Sequence, residues 1–239
     1  MDSLHISCPG CGARNTRFAA ECSECGNYLR DKVANIDLFA TLSGLVDEPG
    51  KTFDTIIFAE NKNFTSFFFT LGVLKFFFLG YLLSYHFLFL EPEGVMMIYG
   101  QFMLSISIIL LLPYLVFVIK PSLRRGLLWR DLISALSYAM APVAISSLFM
   151  IFLEFIIYGE FLFNHSPSPL DFKLFFGVLF LILELGFLLW TIFLFVVLFE
   201  RLSGRKGLAV MLSLSLTAIV FIVILAVINL LTTYNLGIE

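Results

Sequence analysis

The sequence predicts an all-α membrane protein, a transmembrane bundle of five helical spans behind a small soluble head. Three observations predict it. Of 239 residues, 59% are hydrophobic and 14% are charged, where soluble chains carry about 25% charged residues. Mean hydropathy is +0.95, and 29 phenylalanines are more than one water-soluble core can hide. The charges are also unevenly placed: residues 1–62 hold 15 of the 33 charged side chains, and the remaining 177 residues share 18. Such a composition argues against a soluble enzyme, a nucleic-acid-binding protein and a disordered chain. The net charge of −3 is too small to point to any partner.

Residues 1–30 form the first unit, and it is defined by cysteine. All four cysteines fall in Cys8-Pro9-Gly10-Cys11-Gly12 and Cys22-Ser23-Glu24-Cys25-Gly26, the Cys-x2-Cys-x10-Cys-x2-Cys spacing of a zinc ribbon. Two intervening residues let both thiolates of a pair reach one tetrahedral ion at about 2.3 Å. The glycine after each pair permits a positive φ that turns backbone amides toward sulfur. Disulfides are the competing reading, and the cytoplasmic placement argued below disfavours them. Cys8, Cys11, Cys22 and Cys25 are therefore the expected ligands of one Zn2+. Four thiolates leave no open position, so the expected ion is structural, supplying the stability that so short a segment cannot draw from a core. Residues 1–35 balance Arg14, Arg17, Arg30 and Lys32 against Asp2, Glu21, Glu24 and Asp31, so no basic face invites nucleic acid. His5 reads as a solvated surface residue.

Residues 31–62 link head to membrane. Ile36, Phe39, Leu42, Leu45 and Val46 recur at helical spacing until Asp47-Glu48-Pro49-Gly50 breaks the pattern. A second short helix begins near Pro49, with Phe53, Ile56, Ile57 and Glu60 along one face. Two amphipathic helices just ahead of a span predict segments lying in the cytoplasmic interface or packed under the bundle.

Residues 63–239 hold the five spans, at about Phe64–Leu90, Val95–Ile119, Leu132–Tyr158, Leu174–Phe199 and Gly207–Tyr234, each near the roughly 20 apolar residues that cross a bilayer. Glu91-Pro92-Glu93-Gly94 is a tight turn between the first two. Pro121, then Pro167 and Pro169, then Gly204 and Gly207 punctuate the later connections. Pro113 and Pro142 lie inside spans, where proline is tolerated if neighbours re-satisfy the freed carbonyl. Lys and Arg, counted from the N-terminal region through successive connections to the tail, run 6, 0, 4, 1, 3, 0. That alternation predicts an inner-membrane protein with its N-terminus in the cytoplasm and its C-terminus outside. The chain opens Met1-Asp2-Ser3-Leu4-His5 without a basic n-region, so the first span is expected to insert as an internal signal anchor.

Two short motifs in this region resemble a known family. Leu45, Pro49, Phe53, Ile56 and Glu60-Asn61-Lys62 resemble the entry segment of the Ypt-interacting protein (Yip) family, a leucine-Pro-x3-Phe element ahead of five spans. Tyr138 and Pro142, in Ser137-Tyr138-Ala139-Met140-Ala141-Pro142-Val143, resemble its Tyr-x3-Pro element. The resemblance covers about 190 residues and implies five spans with a cytoplasmic N-terminus. A zinc ribbon ahead of such a domain is similar to the bacterial and archaeal arrangement. Eukaryotic members are linked to Rab-type GTPases and vesicle traffic, so the resemblance implies an architecture more firmly than an activity.

Four ionisable groups fall within spans: Lys75, His86, Glu154 and Glu184. Intramembrane charges are functional candidates by default, and each costs about 2.5–3.5 kcal/mol at the bilayer centre on insertion scales. Counted along the spans, Lys75 and Glu184 match in depth near mid-membrane, and His86 and Glu154 match near the outer face. Such pairs lock helix register or line a proton or substrate pathway. No H-E-x-x-H, G-x-S-x-G or P-loop motif occurs, so no catalytic residue is expected. The leading expectation is a non-enzymatic scaffold, adaptor or membrane-organising factor. Its partners would be the lipid bilayer and a protein at the cytoplasmic face, and self-association is compatible with the composition. The rival is a small-solute or ion transporter or channel using Lys75 and Glu184.

Overall fold

The computed structural model describes residues 5–16, 19–29, 35–88, 127–163, 171 and 173–236, with side chains of 80–88, 163 and 223–236 excepted. The span expected at Val95–Ile119, the turn expected at 91–94, Pro113, Pro121, Pro167, Pro169 and the side chain of His86 lie outside that description. What is described is mostly helical, with one two-stranded sheet at the N-terminus. The chain folds as two compact units. One comprises residues 1–66, 113–139 and 194–213, and the other 67–112, 140–193 and 214–239.

The first unit opens with the sheet. β1 (His5–Ser7) pairs antiparallel with β2 (Arg14–Thr16), in the register His5↔Thr16, Ile6↔Asn15 and Ser7↔Arg14. An isolated bridge, Glu21↔Tyr28, closes the second loop. Two helices follow. α1 (Leu38–Asp47) is capped by Asp37, whose carboxylate accepts from the Ala40 amide at 2.9 Å, satisfying one of the helix's orphan donors. α2 (Pro49–Phe58) begins on Pro49, which lacks an N–H where none is needed. α1 packs on α2 across Gly44, where an added Cβ would come within 2.5 Å of Thr52 Oγ1. α2 in turn packs on α4 (Trp129–Ala139) and buries Phe53, Ile56 and Ile57 completely. The apolar stripe expected on α1 is divided. Ile36 and Leu45 are buried, while Phe39 and Val46 are 82% and 58% exposed. Helical periodicity identifies an apolar arc, but only the packed half of it meets α2.

Polar bonds clasp the connection out of α2. Lys62 Nζ donates to the Ile56 and Ile57 carbonyls at 2.6 and 2.8 Å and pairs with Asp131 at 3.1 Å. Tyr138 Oη donates to the Asn63 carbonyl at 2.8 Å, and Thr65 and Ser134 hydroxyls meet at 3.0 Å. Between them Phe64 takes φ 61°, a conformation that costs a bulky residue energy and persists only when its surroundings over-determine it. The clasp supplies that constraint, and the chain then enters α3 (Thr65–Leu88).

Among the described residues, two helices are long and apolar enough to cross a membrane. They are Ala141–Leu162, made of α5 (Ala141–Tyr158) and a closing 3-10 turn (Gly159–Phe163), and the 30-residue α6 (Leu174–Ser203). α3 and α7 (Lys206–Leu236) have 24 and 31 residues. The third expected span, Leu132–Tyr158, is not one continuous helix. It breaks at Met140 into α4 and α5, and Pro142 sits in the first turn of α5. Proline has no N–H for the Tyr138 carbonyl, and starting a new helix removes that requirement. Gly204 takes φ 72° between α6 and α7, whereas Gly207, expected to punctuate this connection, lies inside α7.

Candidate metal centre and the buried ion pairs

The two cysteine loops are near-copies. Cys8 donates its amide to the Ala13 carbonyl and Cys22 to that of Asn27, at 2.9 and 2.8 Å. Gly12 donates back to Cys8 and Gly26 to Cys22, at 2.9 and 3.0 Å. Both turns need the following glycine, at φ 73° for Gly12 and 69° for Gly26, where a side chain is strained. The result is four convergent thiols. Cys8 Sγ lies 3.6 Å from Cys25 Sγ, and Cys11 Sγ lies 3.5 Å from Cys22 Sγ. All four Sγ atoms lie within 4.8 Å of one another. These separations are far beyond a disulfide's roughly 2.05 Å. They are close to the edge, about 3.8 Å, of a tetrahedron with 2.3 Å metal–sulfur bonds. The four cysteines are thus compatible with a single metal site.

The electrostatics repeat the same symmetry. The Cys11 amide, first, and then that of Gly10 lower the Cys8 thiol. The Cys25 and Glu24 amides, aided by Asn15, hold Cys22 down at about 6. The Ala13 amide pulls Cys11 down in turn, but its bonds to Cys25 and Cys22 prevail and push it up to about 12. Cys25 is raised likewise, its Asn27 amide and Cys11 bond outweighed by Cys8 and by burial. Two cysteines pulled down and two pushed up within one cage is an arrangement that a divalent cation, replacing the thiol protons, would complete.

Asn15 is the residue that spacing did not single out. It is buried, and its side chain ties one loop to the other. Nδ2 donates to the Ala13 carbonyl at 3.0 Å and toward Cys22 Sγ at 3.4 Å. Oδ1 accepts from the Ser23 amide and hydroxyl at 2.9 and 3.2 Å. Its only sequence signal was an amide side chain between two cysteine pairs. His5 is exposed on β1.

In the second unit Lys75 on α3 and Glu184 on α6 form an ion pair, with side chains 12% and 24% exposed. Ser146 of α5 approaches the other Glu184 oxygen at 3.5 Å. Glu154 was expected at a different depth, near the outer face with His86. It lies instead within electrostatic reach of both Lys75 and Glu184, because α5 starts only at Ala141 and its second turn is level with the second turn of α3. The Ser147 hydroxyl marks that level by donating to the Leu71 carbonyl at 3.4 Å. In the first unit Asp131, just ahead of the expected third span, is wholly buried against Lys62. Arg201 pairs with Asp54 at 3.8 Å and lies over Gly50. Of the family-motif positions, Pro49 opens α2, Phe53 and Tyr138 are fully buried, and Pro142 opens α5.

No protein-family model, no curated protein and no solved structure matches this chain.

Proposed function

We propose that the chain is a polytopic inner-membrane protein of Yip type, a non-enzymatic scaffold, adaptor or membrane-organising factor whose cytoplasmic head is stapled by one structural zinc ion. The observation that carries this reading is the cage of four thiols within 4.8 Å. Cys8, Cys11, Cys22 and Cys25 would fill a tetrahedral ion's coordination and leave no position for substrate or water. Zinc is the metal that such a closed set of four thiolates suits best. What an ion held this way supplies is folding energy for a docking module.

The membrane assignment draws on α5 and α6, and on the lengths of α3 and α7. With the Val95–Ile119 stretch these make five spans, and the Lys/Arg alternation sets the N-terminus inside. Family membership draws on Pro49, Phe53, Tyr138 and Pro142. Pro49 and Pro142 each begin a helix, and the hydroxyl of buried Tyr138 binds the Asn63 backbone beside the Glu60-Asn61-Lys62 element. A second reading, a small-solute or ion transporter, is favoured by one observation: a second carboxyl, Glu154, beside the Lys75–Glu184 pair.

Cysteine accessibility in intact cells tests the topology. Gly94→Cys and Ser168→Cys are expected to react with a membrane-impermeant maleimide from outside, and Ser203→Cys is not. Reaction of Ser203→Cys in intact cells would overturn the five-span orientation.

A further inference from the structure

α5 carries Ser146, Met150, Glu154 and Tyr158 at four-residue intervals, which places them along one stripe of the helix. Ser146 touches Glu184, Glu154 is in electrostatic reach of Lys75 and Glu184, and Tyr158 is in reach of Glu154. The Tyr158 ring packs edge-on against Phe180 in an apolar cluster with Met150 and Leu162. Its hydroxyl is buried there, on a residue 4% exposed, with no hydrogen-bond partner among the described residues. A buried hydroxyl without a partner costs about 1–3 kcal/mol and calls for one. The charge count supplies the other half. The Lys75 ammonium is engaged by Glu184, so Glu154 is the excess acid of the group.

We propose that Glu154 and Tyr158 form an intramembrane proton-binding site beside the Lys75–Glu184 pair. A proton fits where a metal cation does not. One carboxyl and one phenol offer about three oxygens, against the six or more that a hard cation takes. A proton taken up by a Glu154 oxygen forms a neutral carboxyl and brings the group of Lys75, Glu184 and Glu154 to zero net charge. The acid O–H and the phenol O–H, one helical turn apart, then have each other's oxygens as acceptors. Among the described residues, the titratable groups around Glu154 are Lys75 on α3, Glu184 on α6 and Tyr158 on its own helix. Beyond Tyr158 come Lys173, bonded to the Ile157 carbonyl at 2.7 Å, and exposed Glu160.

The site rests on the reading that α5 and α6 lie in a membrane, and the test separates the two. Dicyclohexylcarbodiimide adds to a protonated carboxyl in apolar surroundings: the acid O–H adds across one C=N bond, and acyl transfer to nitrogen leaves a stable N-acylurea with nothing lost. The full chain in its own membranes is treated near neutral pH and in alkaline buffer, then mapped by mass spectrometry. Glu154 is expected to be labelled at least about tenfold more than Glu184, since a charged carboxyl is strongly disfavoured in hydrocarbon unless paired. Labelling should fall in alkali. In Tyr158→Phe it should fall at higher pH, because the carboxylate has lost the phenol donor that its charged form binds more strongly than its neutral form. Equal labelling of Glu184, or an unlabelled Glu154 in a chain that resists carbonate extraction, overturns the site. A chain released by carbonate overturns the membrane reading, and the site with it.

Discussion

Removing one member of the Lys75–Glu184 pair should be costly, and the two single substitutions should not cost the same. Lys75→Met strands two carboxyls, Glu184 and Glu154, with no ammonium between them. Breaking a buried pair typically costs 3–5 kcal/mol, and side chains 12% and 24% exposed place this one at the low end, about 3 kcal/mol. For a chain of 239 residues, each kcal/mol moves Tm by about 2–4 °C, so the expected drop is about 6–12 °C. Glu184→Gln leaves Lys75 a second acid within reach, Glu154, and should cost about half as much. Lys75→Met with Glu184→Gln leaves no orphaned ammonium. The double variant should return to within about 1 kcal/mol of the parent, which against single losses of about 3 and about 1.5 kcal/mol is a coupling of at least about 3.5 kcal/mol. Thermal unfolding of the detergent-purified chain, followed through Trp129 and Trp190, measures all four corners. Near-additive losses would show that the pair does not interact. Equal single losses would show that Glu154 does not answer for Glu184.

Asn15→Leu should loosen the metal centre while sparing the membrane helices. It removes one of the donors that lower Cys22, and losses of this kind cost about 10- to 100-fold in metal affinity. Because protons compete with metal for thiolate, a higher Cys22 pKa means that the variant should release metal at a higher pH than the parent. Chelator competition across a pH series checks both effects, and an unchanged release profile would refute the role given to Asn15. Lys62→Met should destabilise by about 3–5 kcal/mol, since it leaves fully buried Asp131 and the Ile56 and Ile57 carbonyls without their shared cation. A Tm within about 2 °C of the parent, or less than about 1 kcal/mol, would mean that solvent or another group replaces the ammonium.

What was legible in the sequence was what is local in the chain. The cysteine loops are short, each closed by its own glycine, so spacing alone places four sulfurs around one point. The two short helices α1 and α2 carry their own punctuation, Asp37 as a cap and Pro49 as a start. Lys75 and Glu184 were legible for a different reason. A span fixes depth by residue count, and two opposite charges at one depth in hydrocarbon have few alternatives to each other. Counting set Glu154 apart from that pair because it assumed one continuous third helix, whereas α5 starts anew after Met140 and carries Glu154 within reach of both. The clasp of Lys62, Asp131, Tyr138 and Asn63 was not legible. Its members lie about 70 residues apart, and Asp131 beside Arg130 reads as an ordinary flank of a span. Nor does an apolar arc on α1 say that Leu45 is covered while Phe39 is not. That depends on where α2 docks.

Metal analysis of the intact protein bears on both halves of the proposal, a metal-stapled head and the membrane domain that follows it. The chain, extracted from membranes in detergent without chelator or added metal, should carry about one zinc per polypeptide, as a closed set of four thiolates requires. X-ray absorption should show four sulfur neighbours at about 2.3 Å. Cys8→Ser with Cys22→Ser should lose the metal while the chain remains membrane-bound. Metal-free native protein, or a Cys8–Cys22 disulfide in the cell, would contradict the account.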